Sequence, residues 1–274
     1  MQKGVLWKDM RNMENSYNNL DYEFKKLYAL WLREFKVFLR EKSRLVAAIF
    51  TPLLWLFVFG GGLGSTISKL NNLNISYQEF IFPGIVCMSV IFTSVFFGSY
   101  IIWDKKFDFL KSVMVSPVSR STIFIGKTLG GMTTSIIQAL ILLLIGLFLG
   151  IHYTPLSIIT IISIILLLSF ALTSLGLIIG SFMESLEGFQ LIISFVVFPL
   201  YFLSGALFSL KNIPSWLSIL TIADPATYAV EALRESMLGI QGRHSFVFDI
   251  GFLTIFTIAL GIIGIFSFRR MRAI

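Results

Sequence analysis

The sequence predicts an all-α membrane protein with six transmembrane helices. Of its 274 residues, 56% are hydrophobic and only 14% are charged, with a mean hydropathy of +0.84. A soluble domain does not need this much apolar surface. The apolar residues also form long runs, each sufficient to cross a hydrocarbon core of ~30 Å at ~1.5 Å per residue. The expected spans are 45–63, 80–103, 123–149, 156–183, 189–210 and 246–268.

The basic residues predict how these spans are oriented. Ten of the 22 Lys and Arg lie in residues 1–44, five in and just after the loop that follows the second span, and three in the C-terminal tail. Four lie on the opposite side. Because Lys and Arg are enriched in cytoplasmic loops, we expect a multi-pass protein of the plasma (inner) membrane with both termini cytoplasmic. The net charge of +7 sits at the ends of apolar runs, which favours membrane lipids over nucleic acid as its partner.

The same residues argue against catalysis and against a cofactor or metal in this chain. Cys87 is the single cysteine, so an internal disulfide is impossible. His152 and His244 are too few and too far apart in the sequence to suggest a metal centre. The segment from Ser121 lacks the first glycine of a phosphate-binding loop, so we interpret Lys127 as an interfacial anchor.

Charged residues are nearly missing from the expected spans. Asp104, Lys127 and Asp249 lie at span edges, and we therefore expect no buried carboxylate that could support an ion-coupled cycle. Glu231 and Arg234 stand at helical spacing and predict a local ion pair. Energy for transport would then come from a partner.

The N-terminal region divides into two parts. Residues 1–20 are polar and Asn-rich, and predict a flexible cytosolic lead. Residues 21–44 alternate as an amphipathic helix, with aromatic side chains on one face and basic side chains on the other, which is typical of a helix in the headgroup plane. The alternative, a helix of a soluble core, has no soluble domain to pack on. The residues that define the helix are Trp31, Arg33, Phe35, Lys36 and Arg40.

The loop 104–122 is basic and amphipathic. Phe107, Leu110, Met114 and Pro117 fall at helical spacing on one side, and Lys105, Asp108 and Lys111 on the other. We expect Phe109, Leu110 and Val113 to form an exposed apolar knob. The loop by itself fits two interpretations equally: docking into a groove of another protein, or a connector lying on the membrane surface.

The segment 211–242 fits neither a span nor an ordinary loop. It is apolar but too short to cross the membrane and return, so we expect two short helices that dip into the outer leaflet and break at Asp224-Pro225. A helical hairpin on the surface is the alternative. Glycine pairs four residues apart (126/130, 146/150 and 176/180) allow close helix packing, which we expect within one chain rather than at a dimer seam.

Four segments in this order resemble the membrane subunit of ABC-2 type exporters, the group that includes drug-resistance, Nod-factor and polysaccharide-export permeases. They read REFKVFLREKSRLV, QEFIFPGIVCMSVIF, FLKSVMVSPVSRSTIFIGK and IPSWLSILTIADPATYAVEALRESMLG. The resemblance covers nearly the whole chain from about residue 25. The family usually has Asn-Pro where this chain has Asp224-Pro225.

The resemblance implies that two six-helix membrane subunits pair, and that each contacts a cytoplasmic ATP-binding subunit, which carries ATP and Mg. It favours the docking interpretation of the loop. The coupling residues would be Lys106, Phe107, Phe109, Leu110, Val113, Met114, Pro117 and Val118, with a smaller contact at Glu184 and Glu187. The re-entrant residues would be Asp224, Pro225, Tyr228, Glu231 and Arg234, and the translocation path would include Phe92, Thr93, Tyr201 and Ser204.

The function that this implies is ATP-driven export of a hydrophobic or amphipathic substrate, drug-like or lipid-like, with ATP hydrolysed by the separate subunit. Export of a lipid-linked polysaccharide or glycan by the same architecture is the first alternative. A membrane scaffold or sensor without transport activity is the alternative from another class.

Overall fold

A computed structural model describes residues 23–64, 75–115, 118–210 and 213–271, and the regular structure within these ranges is entirely helical. The lead predicted at 1–20 and Pro117 lie outside the described residues. The helices of the described ranges are α1 (residues 23–40), α2 (Lys42–Gly64), α3 (Tyr77–Phe96), α4 (Ser99–Lys106), α5 (Phe109–Val115), α6 (Arg120–Phe148), α7 (Pro155–Phe182), α8 (Leu186–Leu203), α9 (Ser215–Ala223), α10 (Pro225–Leu238) and α11 (Phe246–Arg270).

Five helical segments of the described ranges are long and apolar enough to cross a membrane. They are α3 together with α4, then α6, α7, α8 and α11. In α2 the apolar stretch is shorter, Val46–Gly62, so the sixth span stays a prediction. The bounds of α6, α7 and α11 lie within three residues of the spans expected from the sequence.

Helix α3 is the centre of the bundle. It packs against α2, α6, α7, α8 and α10, and its most apolar stretch is almost fully enclosed by protein. Ser76 caps its first turn, since the Ser76 Oγ accepts a hydrogen bond from the Glu79 amide at 3.2 Å. The helix is apolar on all sides, which suits burial within a bundle rather than contact with lipid.

The second expected span, 80–103, lies within one apolar segment, Tyr77–Lys106, which is distorted in its middle. Between α3 and α4, at Phe97-Gly98, the backbone hydrogen bonds join residues three apart instead of four, and Gly98 lies directly against the backbone of Gly176 in α7. A β-carbon on either glycine would overlap a backbone carbonyl of the other helix. The glycine pairs of α6 and α7 pack within this chain too, because Gly126 faces Leu30 and Gly130 faces Glu34 of α1.

Helix α8 ends at Leu203, so the prediction that the fifth span reaches residue 210 is wrong. Gly205 adopts a left-handed conformation with φ of +70°, which glycine tolerates and which ends the helix. The chain then turns inward, and Ala206 and Leu210 are buried. The Arg234 guanidinium donates a hydrogen bond to the Gly205 carbonyl at 2.9 Å and holds this turn.

The segment 211–242 contains two short helices, α9 and α10, that meet at Asp224. The Asp224 carboxylate accepts a hydrogen bond from the Ala226 amide at 2.9 Å, and Pro225 occupies the first helical position. Helix α10 is buried along most of its length against α3, α7 and α11. Insertion of this pair into the outer leaflet stays a prediction.

Asp224 gives a testable consequence for stability. Burial raises its pKa to about 7, although the hydrogen bonds from Ala226 and Thr227 lower it in part. The folded state therefore holds this proton up to a higher pH than the unfolded state, and stability falls as the pH rises through the folded-state pKa. Asp224→Asn keeps a capping oxygen and removes the buried charge. We expect it to raise the Tm by roughly 5 °C at about pH 8.

The gain should shrink as the pH is lowered to about 4.5, because the folded-state carboxyl is then protonated in the wild type. Thermal unfolding of both proteins at the two pH values measures this. An equal gain at both would mean that the charge of Asp224 is not what destabilises the wild type.

Candidate coupling site

A groove of about 760 Å³ opens at the end of the bundle where α4, α7 and α11 stop. Three segments that are distant in the sequence line it: the region around α5, the turn between α7 and α8, and the end of α11. The structure therefore brings together four of the coupling residues expected from the sequence. These are Lys106 and Leu110 on one side, and Glu184 and Glu187 on the other.

Lys105 connects the two sides of this groove. Its ammonium group donates hydrogen bonds to the carbonyls of Ser181 at 2.6 Å and Met183 at 3.2 Å, at the end of α7. These carbonyls have no partner within the helix, and a cation at a helix C-terminus also interacts favourably with the helix dipole. Lys105 thus positions the turn that carries Glu184 and Glu187.

The local path of the loop differs from the expected single helix. Helix α4 ends at Lys106, Asp108 adopts a left-handed φ of +55°, and α5 starts at Phe109. Phe107 and Leu110 therefore do not share a helical face. Phe107 is 71% exposed, whereas Leu110 is only 4% exposed.

The prediction of an exposed knob at Phe109, Leu110 and Val113 is wrong. Leu110 packs into a small core of this same chain with Leu30, Phe124 and Phe268, and Val113 and Val118 lie against that core. The Phe109 ring is covered by the guanidinium of Arg33, 3.5 Å from its centroid. The side chain of Met114 lies outside the described residues. The exposed apolar side chains here are those of Phe107 and Val115.

Lys127 is fully buried in an ion network, so its interpretation as an interfacial anchor is wrong. Its ammonium group contacts the carboxylates of Glu34, at 2.9 Å, and Asp104. Arg33 pairs with the same two carboxylates, at 2.6 and 2.7 Å. The carboxylates of Glu34 and Asp104 are therefore buried together with Lys127, which the sequence did not predict.

The ion network joins three helices: α1 through Arg33 and Glu34, α4 through Asp104, and α6 through Lys127. Its two cations and two carboxylates balance. Burial lowers the pKa of Arg33, but hydrogen bonding and attraction from Asp104, together with Glu34, outweigh this, so its pKa is raised. The network sets the position of α4 just before the loop begins.

Helix α1 packs against the bundle, so its two faces are not simply an aromatic face toward lipid and a basic face toward solvent. The Trp31 indole N–H donates to the Thr133 hydroxyl at 2.9 Å, and Phe35 stacks on Trp31. Lys36 and Arg40 are exposed, as expected for a basic face. Arg33 instead points into the protein, because its partners Glu34 and Asp104 are buried there.

The residues predicted to line a translocation path do not share one surface. Thr93, Tyr201 and Ser204 are buried inside this chain: Thr93 donates to Gln138, and Ser204 donates to the Tyr201 carbonyl at 2.6 Å. Phe92 instead belongs to a group of rings on α2, α3 and α8 that we name the aromatic face. Its members are Trp55, Phe59, Phe92, Phe96, Phe198 and Phe202.

Glu231 and Arg234 do not form the predicted local ion pair, because each finds a partner in a different loop. Arg234 lies over the Phe80 ring, at 4.1 Å from its centroid, and bonds the turn at Gly205. The Glu231 carboxylate accepts hydrogen bonds from the amides of Arg243 and His244, at 3.0 and 3.3 Å.

Tyr228 packs on α11 and tethers α9 to α10. Its hydroxyl donates to the Ile222 carbonyl at 2.8 Å, and its ring stacks on Phe252 with centroids 4.0 Å apart. The sequence did not reveal that His244 and Asp249 come close to Glu231. Each lies on a different element, and only the fold brings them together.

Comparison with known proteins identifies the class. Residues 25–238 match the family model described as ABC-2 type transporter. The chain belongs to this family, and the resemblance stated from the sequence is confirmed. It is therefore related to membrane subunits of transporters, and permeases of this family normally work with an ATP-binding subunit.

Individual relatives support the same assignment. The chain is 30% identical over 226 residues to a putative transport permease, ycf38, of Cyanophora paradoxa, which covers 81% of this chain and 78% of the relative. It is 29% identical over 248 residues to the inner membrane transport permease YadH of Escherichia coli K12, covering 86% and 92%. Nodulation protein J of Rhizobium leguminosarum bv. viciae is 22% identical over 246 residues, covering 88% and 93%.

The ion network predicts a large effect at Lys127. Lys127→Met leaves two buried carboxylates with a single cation, and removing one partner of a buried pair costs about 3–5 kcal/mol. We expect a clear fall in Tm. Lys36→Met, an exposed lysine on α1, should change the Tm little.

Adding Glu34→Gln to Lys127→Met removes one of the two stranded carboxylates and should recover part of the loss. Thermal unfolding of the four proteins tests this. A Lys127→Met protein as stable as Lys36→Met would show that the ion network contributes little to the fold.

Proposed function

We propose that this chain is the membrane subunit of an ATP-driven exporter, and that a separate ATP-binding subunit docks at the groove beside α5. The observation that carries the proposal is the convergence of the α5 region with the turn after α7. Each was expected from the sequence to contact that subunit, and both line one groove. Lys105 links them, so a movement imposed on one side is transmitted to the other.

The chemistry of the groove suits a protein partner. Phe182 exposes apolar surface in the groove, at 68%, and Phe107 and Val115 expose theirs on the adjoining α4–α5 segment, at 71% and 88%. Charges of both signs line the groove: Lys106, Lys111 and Arg270, with Glu184 and Glu187. An apolar anchor within a charged rim is typical of a protein interface, where buried apolar groups supply affinity and rim charges supply specificity.

The same end of the molecule supports an orientation of the chain in the membrane and a direction of transport. ATP is cytoplasmic, so the groove would face the cytoplasm. The last described residues of α11 line the groove, and Arg33 of α1 reaches α4 next to it. This supports the prediction that both termini are cytoplasmic, in the inner membrane, with export directed away from the groove.

The substrate would be hydrophobic or amphipathic. The aromatic face presents phenylalanine and tryptophan rings, and Phe198 and Phe202 remain 45% and 42% exposed. We propose that this face lies against the path between two copies of the membrane subunit, or between this chain and a homologous one. The rings offer apolar and stacking contacts, which favours a drug-like or lipid-like molecule over a long glycan.

The docking proposal is tested by affinity purification of the full-length tagged chain from its native membrane. We expect ATP hydrolysis to co-purify with the wild type. Phe107→Asp with Val115→Asp should reduce the retained ATPase on the order of tenfold or more, because two exposed apolar anchors are lost. Trp216→Asp changes an exposed apolar residue at the opposite end of the bundle and should retain it.

Two outcomes would contradict the proposal. If no ATPase accompanies the wild type, the chain is not the subunit of an ATP-driven exporter, and the scaffold or sensor alternative is favoured. If the double aspartate variant retains the ATPase as well as Trp216→Asp does, the partner docks elsewhere.

A further inference from the structure

Three potential metal ligands meet at the end of the bundle opposite the groove. Glu231 belongs to α10, His244 to the loop after it, and Asp249 to the first turns of α11. The His244 Nδ1 lies 3.3 Å from the Glu231 Oε2 and 3.9 Å from the Asp249 Oδ1. One oxygen or nitrogen of each residue lies within 4.8 Å of those of the other two.

Asp249 is the unusual member of this group. Its side chain is fully buried, and neither carboxylate oxygen has a hydrogen-bond partner. Glu231 is also buried, at 3% exposed. Two carboxylates this close repel each other, and a buried charge without a partner is costly.

The ligands are held in position by their surroundings. The amides of Arg243 and His244 donate to the Glu231 Oε2 and fix that carboxylate. The His244 ring packs beside the rings of Tyr228 and Phe248, each with a centroid 5.3 Å away, and these two rings also contact each other. Residue 242 is glycine, and a β-carbon there would lie 2.7 Å from the Glu231 Oε2. The glycine thus lets the backbone pack closely against this carboxylate.

We propose that Glu231, His244 and Asp249 bind a divalent transition-metal cation of the Zn²⁺ type. Imidazole nitrogen with carboxylate oxygens is a donor set that such ions accept, at about 2.0–2.2 Å from each ligand atom. Ligand atoms around a tetrahedral ion then lie roughly 3.4 Å apart, so the observed separations need only small side-chain shifts. The ion would neutralise both carboxylates and fasten α10 to α11. His244, partly exposed, gives access from solvent.

The experiment uses the full-length chain, purified in detergent, freed of metal with a chelator and titrated with Zn²⁺. Zinc retained per chain is measured by elemental mass spectrometry, and stability by thermal unfolding. We expect one zinc ion per chain and a rise in Tm. Asp249→Asn and His244→Gln should each weaken zinc binding by tenfold or more, and Mg²⁺, which prefers oxygen ligands alone, should not raise the Tm at the same concentration.

Two controls match the ligand variants. Glu79→Gln changes a partly exposed carboxylate in the first turn of α3, and His152→Gln changes the other histidine, which is exposed. Both should bind zinc like the wild type. The metal-free Asp249→Asn protein should be at least as stable as the wild type, since it loses an unpartnered buried charge. If the Asp249→Asn protein does not fold, zinc binding by His244→Gln is compared with that of the two controls instead.

The proposal is overturned if the wild type retains no zinc, or if Asp249→Asn and His244→Gln bind it as tightly as the two controls do. Neither outcome bears on the groove, because ATPase retention is measured at the other end of the bundle.

Discussion

The buried contact of Lys127 and Arg33 with Glu34 and Asp104 is the interaction on which the coupling end of this molecule depends. Glu34, Asp104 and Lys127 are buried, and an isolated buried charge costs several kcal/mol, so each of the three depends on its partners, which include the partly exposed Arg33. The network therefore acts as a unit that holds α1 across α6 and fixes the end of α4. Arg33 extends it to the ring of Phe109, so the first residue of α5 is positioned by the same unit.

Close backbone approach is the second constraint. Gly98 and Gly176 allow α4 and α7 to touch, with no side chain between them. This contact places Lys105 at the last carbonyls of α7. The groove thus joins two distant parts of the sequence because two glycines permit the helices to meet, and the lysine then fastens the ends together.

Local signals predicted much of the fold. Hydropathy gave the bounds of α6, α7 and α11 closely, and the capping chemistry of Asp224-Pro225 indicated the break between α9 and α10. The failures arise where the partner is distant in the sequence. The local sequence predicts that Leu110 is exposed, but residues of α1, α6 and α11 pack around it. The local sequence likewise predicts that Lys127 lies at the membrane interface, but it pairs with Glu34 inside the protein. No local pattern in the sequence indicates that Asp249 approaches Glu231.

The central claim is that the groove beside α5 holds the ATP-binding subunit. A photo-reactive phenylalanine analogue in place of Phe107 tests it most directly, because the native side chain is an exposed aromatic ring of similar shape. Illumination of native membranes should cross-link position 107 to an ATP-binding protein, whereas the same analogue at Trp216 should not. Cross-linking of position 107 to lipid alone, with no ATP-binding protein captured, would contradict the account.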